Sequence, residues 1–155
     1  MIVPGFIDVH IHGAYGFSVN EQLGELARVL PRAGVTAFLP TFATWWPMPD
    51  LLQQLRAASE IAVLAGSGAE VLGFHLEGPF LNAKRKGAQN PLYFERPSPG
   101  ALAQALAAGA SKIRMITIAP EQDEAYVVIR EAAKQGIIVA LGHSDANAKV
   151  TAEAV

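Results

Sequence analysis

The chain has 155 residues, 51% of them hydrophobic and 17% charged, with a formal net charge of -2, a composition typical of a globular protein with a substantial core. The small negative charge disfavours nucleic acid as a partner, because nucleic-acid-binding proteins usually carry a basic surface. The lack of cysteine excludes disulfides and thiolate metal sites, so any metal must be held by His, Asp or Glu.

The sequence contains no sign of a membrane or export segment. No apolar run reaches the roughly 18 residues that a membrane-spanning helix needs. The N-terminus has no basic segment ahead of an apolar one, as a secretory signal would. We therefore expect a soluble, cytoplasmic protein without a membrane partner.

Apolar runs alternate with helical periodicities along the whole chain. Five apolar runs are predicted strands, at residues 2–12, 35–42, 71–77, 113–118 and 137–141. Four periodic segments are predicted helices, at residues 23–30, 51–65, 99–109 and 124–135, and a further helical segment opens near Asp145 or Asn147. The first run is almost continuously apolar, which is typical of a strand buried on both faces of a parallel sheet.

This alternation predicts an α/β fold with a parallel sheet and right-handed crossovers. Two architectures fit the pattern: a doubly wound sheet and part of a (β/α)8 barrel. No G-x-G-x-x-G follows the first strand, so dinucleotide binding has no support in the sequence.

The first predicted strand ends in two histidines that are two residues apart. Successive side chains of a strand point to opposite faces, so Asp8, His10 and His12 share one face. Two imidazoles on one rigid face can converge on a divalent metal such as zinc or iron. The plainer alternative is a strand with two chance polar positions.

Polar residues also follow the other apolar strands. Glu77 ends the third strand and His143 follows the fifth, and parallel α/β folds place their active sites at this edge. Together with His10 and His12 they form a set of three imidazoles and one carboxylate that suits a water-activating zinc or iron centre. Taken singly, Glu77 can be a solvated strand end and His143 a loop residue. His75 shares the face of Glu77, and the simplest interpretation is a packed, hydrogen-bonded histidine.

About twenty residues after Glu77 lack apolar periodicity, and loops of this length are often functional. They contain Lys84, Arg85 and Lys86. This basic run is most simply a solvated surface; the alternative is the recruitment of an anionic substrate.

Several segments carry a family resemblance. Pro-Gly-Phe-Ile-Asp-Val-His-Ile-His-Gly at residues 4–13 resembles the first-strand signature of the amidohydrolase superfamily of metal-dependent hydrolases. Within that superfamily, residues 75–80, 86–91, 119–121 and 142–146 resemble the N-acetylglucosamine-6-phosphate deacetylase family. The resemblance implies a distorted (β/α)8 TIM-like barrel. It also implies hydrolysis of the acetamide of N-acetylglucosamine 6-phosphate to glucosamine 6-phosphate and acetate, a step of amino-sugar catabolism.

The resemblance also implies roles for particular residues. Glu77 and His143 match metal ligands, and His10 and His12 match the pair that supports a second metal in some members, so one or two divalent ions, zinc or iron, are expected. By this resemblance, His10 and His12 extend the site to a second metal and do not define the main catalytic one.

The substrate-contacting loop position is matched by Ala88 and Gln89. Some members have a histidine there, where it helps to polarise the amide carbonyl. Gln89 departs from that version, although its amide can still donate a hydrogen bond.

Length is the main departure from the family. A full barrel needs about 250 residues, and the family has a further metal-binding His on its sixth strand and a catalytic Asp on its eighth, both expected beyond Val155. We therefore interpret residues 1–155 as the N-terminal part of the hydrolase barrel, without its last strands and the small β domain, and expect no activity from this piece alone. The expected partner is a small-molecule amino-sugar phosphate, and a homodimer is implied for the full-length protein.

Two other functions are compatible with the sequence. One is another amidohydrolase that acts on cyclic amides or N-acyl amino acids. Many of those bridge two metals with a lysine at the end of the fourth strand, where this chain has Ile118-Ala119-Pro120. The other is a non-catalytic, truncated half-barrel that acts as an assembly piece, because an open sheet exposes edges and apolar surface.

Overall fold

The computed structural model describes residues 2–64 and 68–155. Eight strands lie in this part of the chain: β1 Phe6–Ile11, β2 Gly13–Ala14, β3 Phe17–Ser18, β4 Val35–Ala43, β5 Glu70–Val71, β6 Phe74–Glu77, β7 Ile113–Ile118 and β8 Ile138–Leu141. The α-helices there are α1 Leu23–Val29, α2 Met48–Leu64, α3 Pro99–Ala108, α4 Ala125–Lys134 and α5 Ala148–Glu153. Single 3-10 turns cover Leu30–Ala33, Ala83–Arg85 and Pro91–Tyr93.

The main sheet is parallel, with the strand order β1-β4-β6-β7-β8. Each strand pairs with the next long strand of the sequence, and a helix lies between them in the chain. The order never reverses, whereas a doubly wound sheet reverses at its switch point. The sheet is therefore the curled half of a (β/α)8 barrel, which confirms the partial barrel and decides between the two architectures that the sequence left open.

The third predicted strand, residues 71–77, is interrupted in the structure. Its two ends pair separately, β5 with the first half of β4 and β6 with the second half. Gly73 causes the break, because it adopts a φ of 149° that L-residues rarely take, and a Cβ there would lie 2.5 Å from the carbonyl oxygen of Lys112. The predicted end of the second helix at Ala65 lies outside the described residues.

Helix boundaries follow ordinary capping rules. The Ser98 hydroxyl accepts a hydrogen bond from the backbone N–H of Ala101, and the Asn147 side chain accepts one from Val150, so the predicted starts of α3 and α5 are confirmed. The core lies where the apolar sides of the helices meet the sheet. Its largest fully buried side chains are Phe38, Phe42, Phe74, Phe80, Leu23, Leu26, Leu51, Leu55, Leu76, Leu102, Ile116 and Ile118.

The first strand differs from its prediction. It was expected to be buried on both faces, but Phe6, Ile7 and Val9 are 72%, 61% and 47% exposed. The reason is that β1 is the edge strand and pairs with β4 alone in the described sheet. Ile138 on β8, the opposite edge, is likewise exposed. No helix in the described part of the chain is long and apolar enough to cross a bilayer.

Candidate metal centre

The end of β1 brings two imidazoles together. His10 lies in β1 and His12 directly follows the strand, and their Nε2 atoms lie 3.2 Å apart. The ring of His12 is oriented by β4, because its Nδ1 lies 2.9 Å from the carbonyl oxygen of Thr41. A carbonyl only accepts, so Nδ1–H is the donor and Nε2 is left to face the site.

Glu77, the last residue of β6, lies at the centre of the cluster. Its side chain is only 8% exposed, and both carboxylate oxygens face imidazole nitrogens. Oε2 lies 3.2 Å from Nε2 of His12, and Oε1 lies 3.6 Å from Nε2 of His10. Burial of a charged carboxylate without partners costs free energy, so the contacts with the imidazoles are what stabilise Glu77 in its buried position.

His143 reaches the same carboxylate from the opposite side. It follows β8 in a loop, has a positive φ of 50°, and places Nε2 2.9 Å from Oε1 of Glu77. Its Nδ1 donates to the carbonyl oxygen of Arg85 at 2.8 Å. His12 and His143 therefore share one design, in which a main-chain carbonyl holds Nδ1–H and directs Nε2 to Glu77.

The charges in the cluster compensate each other. Burial by itself raises the pKa of Glu77, but hydrogen bonds from His12 and His143, together with the charge of His10, outweigh it and lower this pKa to about 2. The hydrogen bond to Glu77 raises the pKa of His12, against the opposing effect of burial. A proton on His12 is thus favoured beside the carboxylate, and a divalent cation can take its place.

The donor set fits a divalent metal. Three possible ligand atoms lie within 4.8 Å of one another, one each from His10, His12 and Glu77. His143 is not a member of that group, although it contacts Glu77 directly. Imidazole and carboxylate ligands without sulfur suit zinc and iron, and also related divalent ions. An open cavity extends from this cluster along β6, β7 and the end of β8.

His75 lies beneath the cluster and is 2% exposed. Its Nδ1 lies 3.2 Å from the carbonyl oxygen of Val9, and its Nε2 lies 2.8 Å from the hydroxyl of Thr117. The ring also meets that of His10 edge-on, at 4.9 Å between centroids. Burial, aided by the charge of His10, lowers the pKa of His75 to about 4, so this residue is the packed, hydrogen-bonded histidine of the simplest interpretation.

The loop residues Ala88 and Gln89 have different surroundings. Ala88 is exposed, whereas Gln89 is 4% exposed and uses its Oε1 to accept the backbone N–H of Thr44 at 2.7 Å. The Nε2 of Gln89 is buried and has no partner among the described residues. The hydroxyl of Thr44 in turn donates to the backbone carbonyl of Glu77, so Thr44 links Gln89 to the candidate metal ligand Glu77.

The basic run of the loop is partly neutralised. Arg85 and Lys84 lie 2.6 and 3.5 Å from the carboxylate of Asp145, and Lys86 bonds to the carbonyl of Gly87. These contacts favour a structural role for the run over recruitment of an anionic substrate.

Several residues at the site were missed by sequence reasoning. Thr41 and Thr117 bond to His75, and the ring of Trp45 lies 4.9 Å from that of His12. The signal for the two threonines was available, because each lies in an apolar strand at a position paired in register with the β6 segment His75–Glu77.

Comparison with known proteins agrees with the geometry. The sequence model described as "Amidohydrolase family" matches residues 1–154. A Bacillus subtilis N-acetylglucosamine-6-phosphate deacetylase is 38% identical over 99% of this chain and 40% of its own length. An Escherichia coli O157:H7 N-acetylgalactosamine-6-phosphate deacetylase is 35% identical over 94% of this chain and 40% of its own length.

Solved structures show the same relationship. The N-acetyl-D-glucosamine-6-phosphate deacetylase of Mycobacterium smegmatis, as its D267A mutant in complex with N-acetyl-D-glucosamine-6-phosphate, superposes with a TM-score of 0.88 at 36% identity, covering 98% of this chain and 40% of that one. The Thermotoga maritima N-acetylglucosamine-6-phosphate deacetylase gives 0.85 at 32% identity, covering 97% and 40%. The chain thus spans about 40% of the length of the relatives that it matches.

Proposed function

The chain belongs to the amidohydrolase family, and from this premise we propose that it supplies the metal-binding part of an N-acetyl amino-sugar phosphate deacetylase. The reaction is hydrolysis of the acetamide of N-acetylglucosamine 6-phosphate to glucosamine 6-phosphate and acetate. The observation that carries the proposal is the convergence of His10, His12 and His143 on the buried carboxylate of Glu77. Relatives and structural neighbours that bear this enzyme's name support the choice of substrate.

Within the proposal, Glu77, His143, His10 and His12 hold one or two ions, with zinc or iron as the metal. A divalent metal bound there supplies an activated water near neutral pH and polarises a carbonyl oxygen. The carboxylate of Glu77 offsets the metal charge from a buried position. The neutral ring of His75 packs against His10 without adding positive charge to the site.

At the substrate loop, the side-chain amide of Gln89 is the group that would polarise the acetamide carbonyl of the substrate. Its side-chain oxygen accepts from Thr44, so the group left without a partner among the described residues is the buried Nε2 donor, and a developing oxyanion needs a donor. Ala88 beside it offers van der Waals contact alone.

We assign residues 1–155 to the N-terminal part of the barrel. The aspartate that protonates the leaving amine is expected on the eighth strand of the barrel, which the described sheet does not include, so acetate release by this chain alone is expected to be negligible. The cytoplasm is the proposed compartment, and a homodimer is the proposed assembly of the longer protein.

The experiment has two arms. First, the 155-residue chain is titrated with zinc and iron(II), and its metal content is counted after dialysis; one or two ions per chain are expected. Second, a chimera in which this chain replaces the matching part of the Bacillus subtilis relative is assayed for acetate release. N-acetylglucosamine 6-phosphate is expected to react fastest, and preference for hydantoin, dihydroorotate or an N-acyl amino acid would contradict the proposal.

N-acetylgalactosamine 6-phosphate is the second candidate substrate, because a 35% identical relative carries that name. The two sugars differ only at C4, so the same chimera assay, run with both at matched concentration, separates them.

A further inference from the structure

Glu121 lies outside the cluster of His10, His12, Glu77 and His143, yet its carboxylate accepts three hydrogen bonds at the same edge of the sheet. It follows β7 in the segment Ala119-Pro120-Glu121, three residues beyond the strand. Its carboxylate accepts three hydrogen bonds and donates none, and none of its partners is a cation. A carboxylate used in this way fixes the positions of the groups around it.

The three donors come from two separate loops. Oε1 accepts from Nδ2 of Asn82 at 2.8 Å and from the backbone N–H of Asp145 at 2.6 Å, and Oε2 accepts from the hydroxyl of Ser144 at 2.6 Å. Asn82 belongs to the long loop after β6, whereas Ser144 and Asp145 follow β8. Glu121 therefore joins both loops to the end of β7.

His143 lies between these attachment points. Its backbone carbonyl accepts from the N–H of Asn82 at 3.0 Å, and its Nδ1–H donates to the carbonyl of Arg85 at 2.8 Å. Its positive φ of 50° costs conformational energy for a non-glycine residue, so neighbouring contacts must hold it. The next two residues of the chain, Ser144 and Asp145, are the ones that Glu121 binds.

The fit around the imidazole is tight as well as polar. A Cβ at Gly87 would lie 3.1 Å from Cε1 of His143, so the long loop passes directly over the ring. Any shift of that loop relative to the β8 end would change the direction of Nε2. Burial opposes ionisation of Glu121, but the bonds from Ser144, Asp145 and Asn82 outweigh it and lower its pKa, so the carboxylate stays ionised.

We propose that Glu121 is a positioning residue that sets the orientation of His143 by tying the loops after β6 and β8 together. It acts through hydrogen bonds to its neighbours and does not itself touch the metal or the substrate. The inference rests on the proposed function only in so far as His143 is a metal ligand; the positioning itself is a property of the metal-free chain.

The first test is NMR of the histidine side chains in the metal-free chain, which reports the position of each ring through its chemical shifts and its contacts with neighbouring protons. The four histidines make this spectrum simple. In the wild type, the His143 ring is expected to show contacts with Gly87, and the His12 ring contacts with Trp45. In Glu121→Ala, the His143 ring is expected to shift and lose its contacts with Gly87, whereas His12, held by Thr41 on β4, keeps its contacts.

Glu121→Gln is the conservative rescue. Its amide oxygen can accept from Asn82 and Asp145, and its amide N–H can donate to the oxygen of Ser144, so the wild-type contacts of the His143 ring are expected to return. Asp123→Ala is the matched control in the same loop, because the ion pair of Asp123 among the residues that the structure describes is the one with Arg96 on the surface, at 3.2 Å. That variant is expected to leave all four histidines unchanged.

Zinc titration of the same variants gives the second readout. Glu121→Ala is expected to weaken zinc binding about 10- to 100-fold, as loss of orienting partners does at other metal sites, and Glu121→Gln to recover most of it. If Glu121→Ala does not fold, Ser144→Ala removes one of the three bonds and is expected to shift the same histidine to a smaller extent.

Three results decide the proposal. Unchanged chemical shifts and contacts of the His143 ring in Glu121→Ala and Ser144→Ala overturn it. Equal disturbance of His12 and His143 also overturns it, since that is the signature of general destabilisation. A selective change at His143 in a chain that binds no zinc supports the positioning role while the proposed function fails.

Discussion

The two sides of Glu77 are built by different means. On one side lie His10, in β1, and His12, which directly follows that strand, and we call this pair the strand flank. On the other side lies His143, a loop residue oriented by the carbonyl of Arg85, and we call this the loop flank. The strand flank is set by the regular alternation of side chains along one strand. The loop flank depends on contacts between residues about sixty positions apart.

The difference shows where each flank is vulnerable. The strand flank sits on an exposed edge strand, and the side chain of His10 is 45% exposed. The side chain of His143 is only 23% exposed, and loop contacts surround it. Alternation thus makes a site that is simple to specify but open, and loops make one that is enclosed but depends on distant partners.

The largest effect is expected from the residue that both flanks share. Glu77→Gln keeps the shape of the side chain but removes the charge that holds the imidazoles. Zinc binding is expected to weaken by more than the roughly 10- to 100-fold that orienting partners contribute, measured by calorimetric titration. Glu131→Gln, on the surface beside Lys134, is the control; equal zinc affinity in both variants would show that Glu77 is not a ligand.

Acid should destabilise the metal-free chain through His75. Its pKa is about 4 in the fold and about 6.5 when unfolded, so the unfolded state binds the extra proton between these values. The contribution of His75 to the free energy of unfolding is therefore full above pH 6.5 and is lost as pH falls towards 4, by about 3 kcal/mol at most. Glu77, with its pKa lowered to about 2, adds a further loss below its ordinary value of 4.5.

Urea unfolding across this pH range, with a chelator present, measures the effect. His75→Gln removes the titrating group and is expected to flatten the profile between pH 6.5 and 4. A wild-type profile that is already flat there would contradict a neutral His75. It would also remove the contrast between this buried histidine and the exposed His10 that packs against it.

A direct comparison of the flanks comes next in size. His143→Asn is expected to weaken zinc binding about tenfold more than His10→Asn, because His143 is oriented by a carbonyl and lies 2.9 Å from Glu77, against 3.6 Å for His10. Calorimetry with zinc provides the affinities and the number of ions. The reverse order would make the strand flank the principal site.

The smallest effect is expected at the outer edge of the strand flank. Ile7→Thr should change the free energy of unfolding by no more than about 0.5 kcal/mol, since Ile7 is 61% exposed. Phe42→Ala in the core is the matched contrast and should cost about 3–5 kcal/mol. A large loss for Ile7→Thr, measured by urea unfolding, would mean that this edge is covered in solution.

The sequence predicted what is local and periodic. The strand and helix order, the caps at Ser98 and Asn147, and the placement of His10, His12 and Glu77 at strand ends all follow from periodicity and spacing. The half-barrel follows from the same alternation with the family resemblance.

What the sequence could not predict depends on distant contacts. The exposure of β1 results from its edge position in the described sheet, where it pairs with β4 alone, and the break at Gly73 results from close approach to Lys112. The tie from Glu121 to the two loops joins residues 23 to 39 positions apart. No local pattern marks such pairs, because the fold brings them together only when the sheet curls.

The main-chain carbonyls of Thr41 and Arg85 have a consequence for experiments on this site. They orient His12 and His143, and they remain in place whichever side chains occupy positions 41 and 85. Alanine scanning therefore cannot detect them, and sequence drift at these two positions need not disturb imidazole orientation. An amide-to-ester replacement does not remove a carbonyl oxygen but weakens it as an acceptor, so semisynthetic backbone chemistry is the direct way to measure what these two atoms contribute.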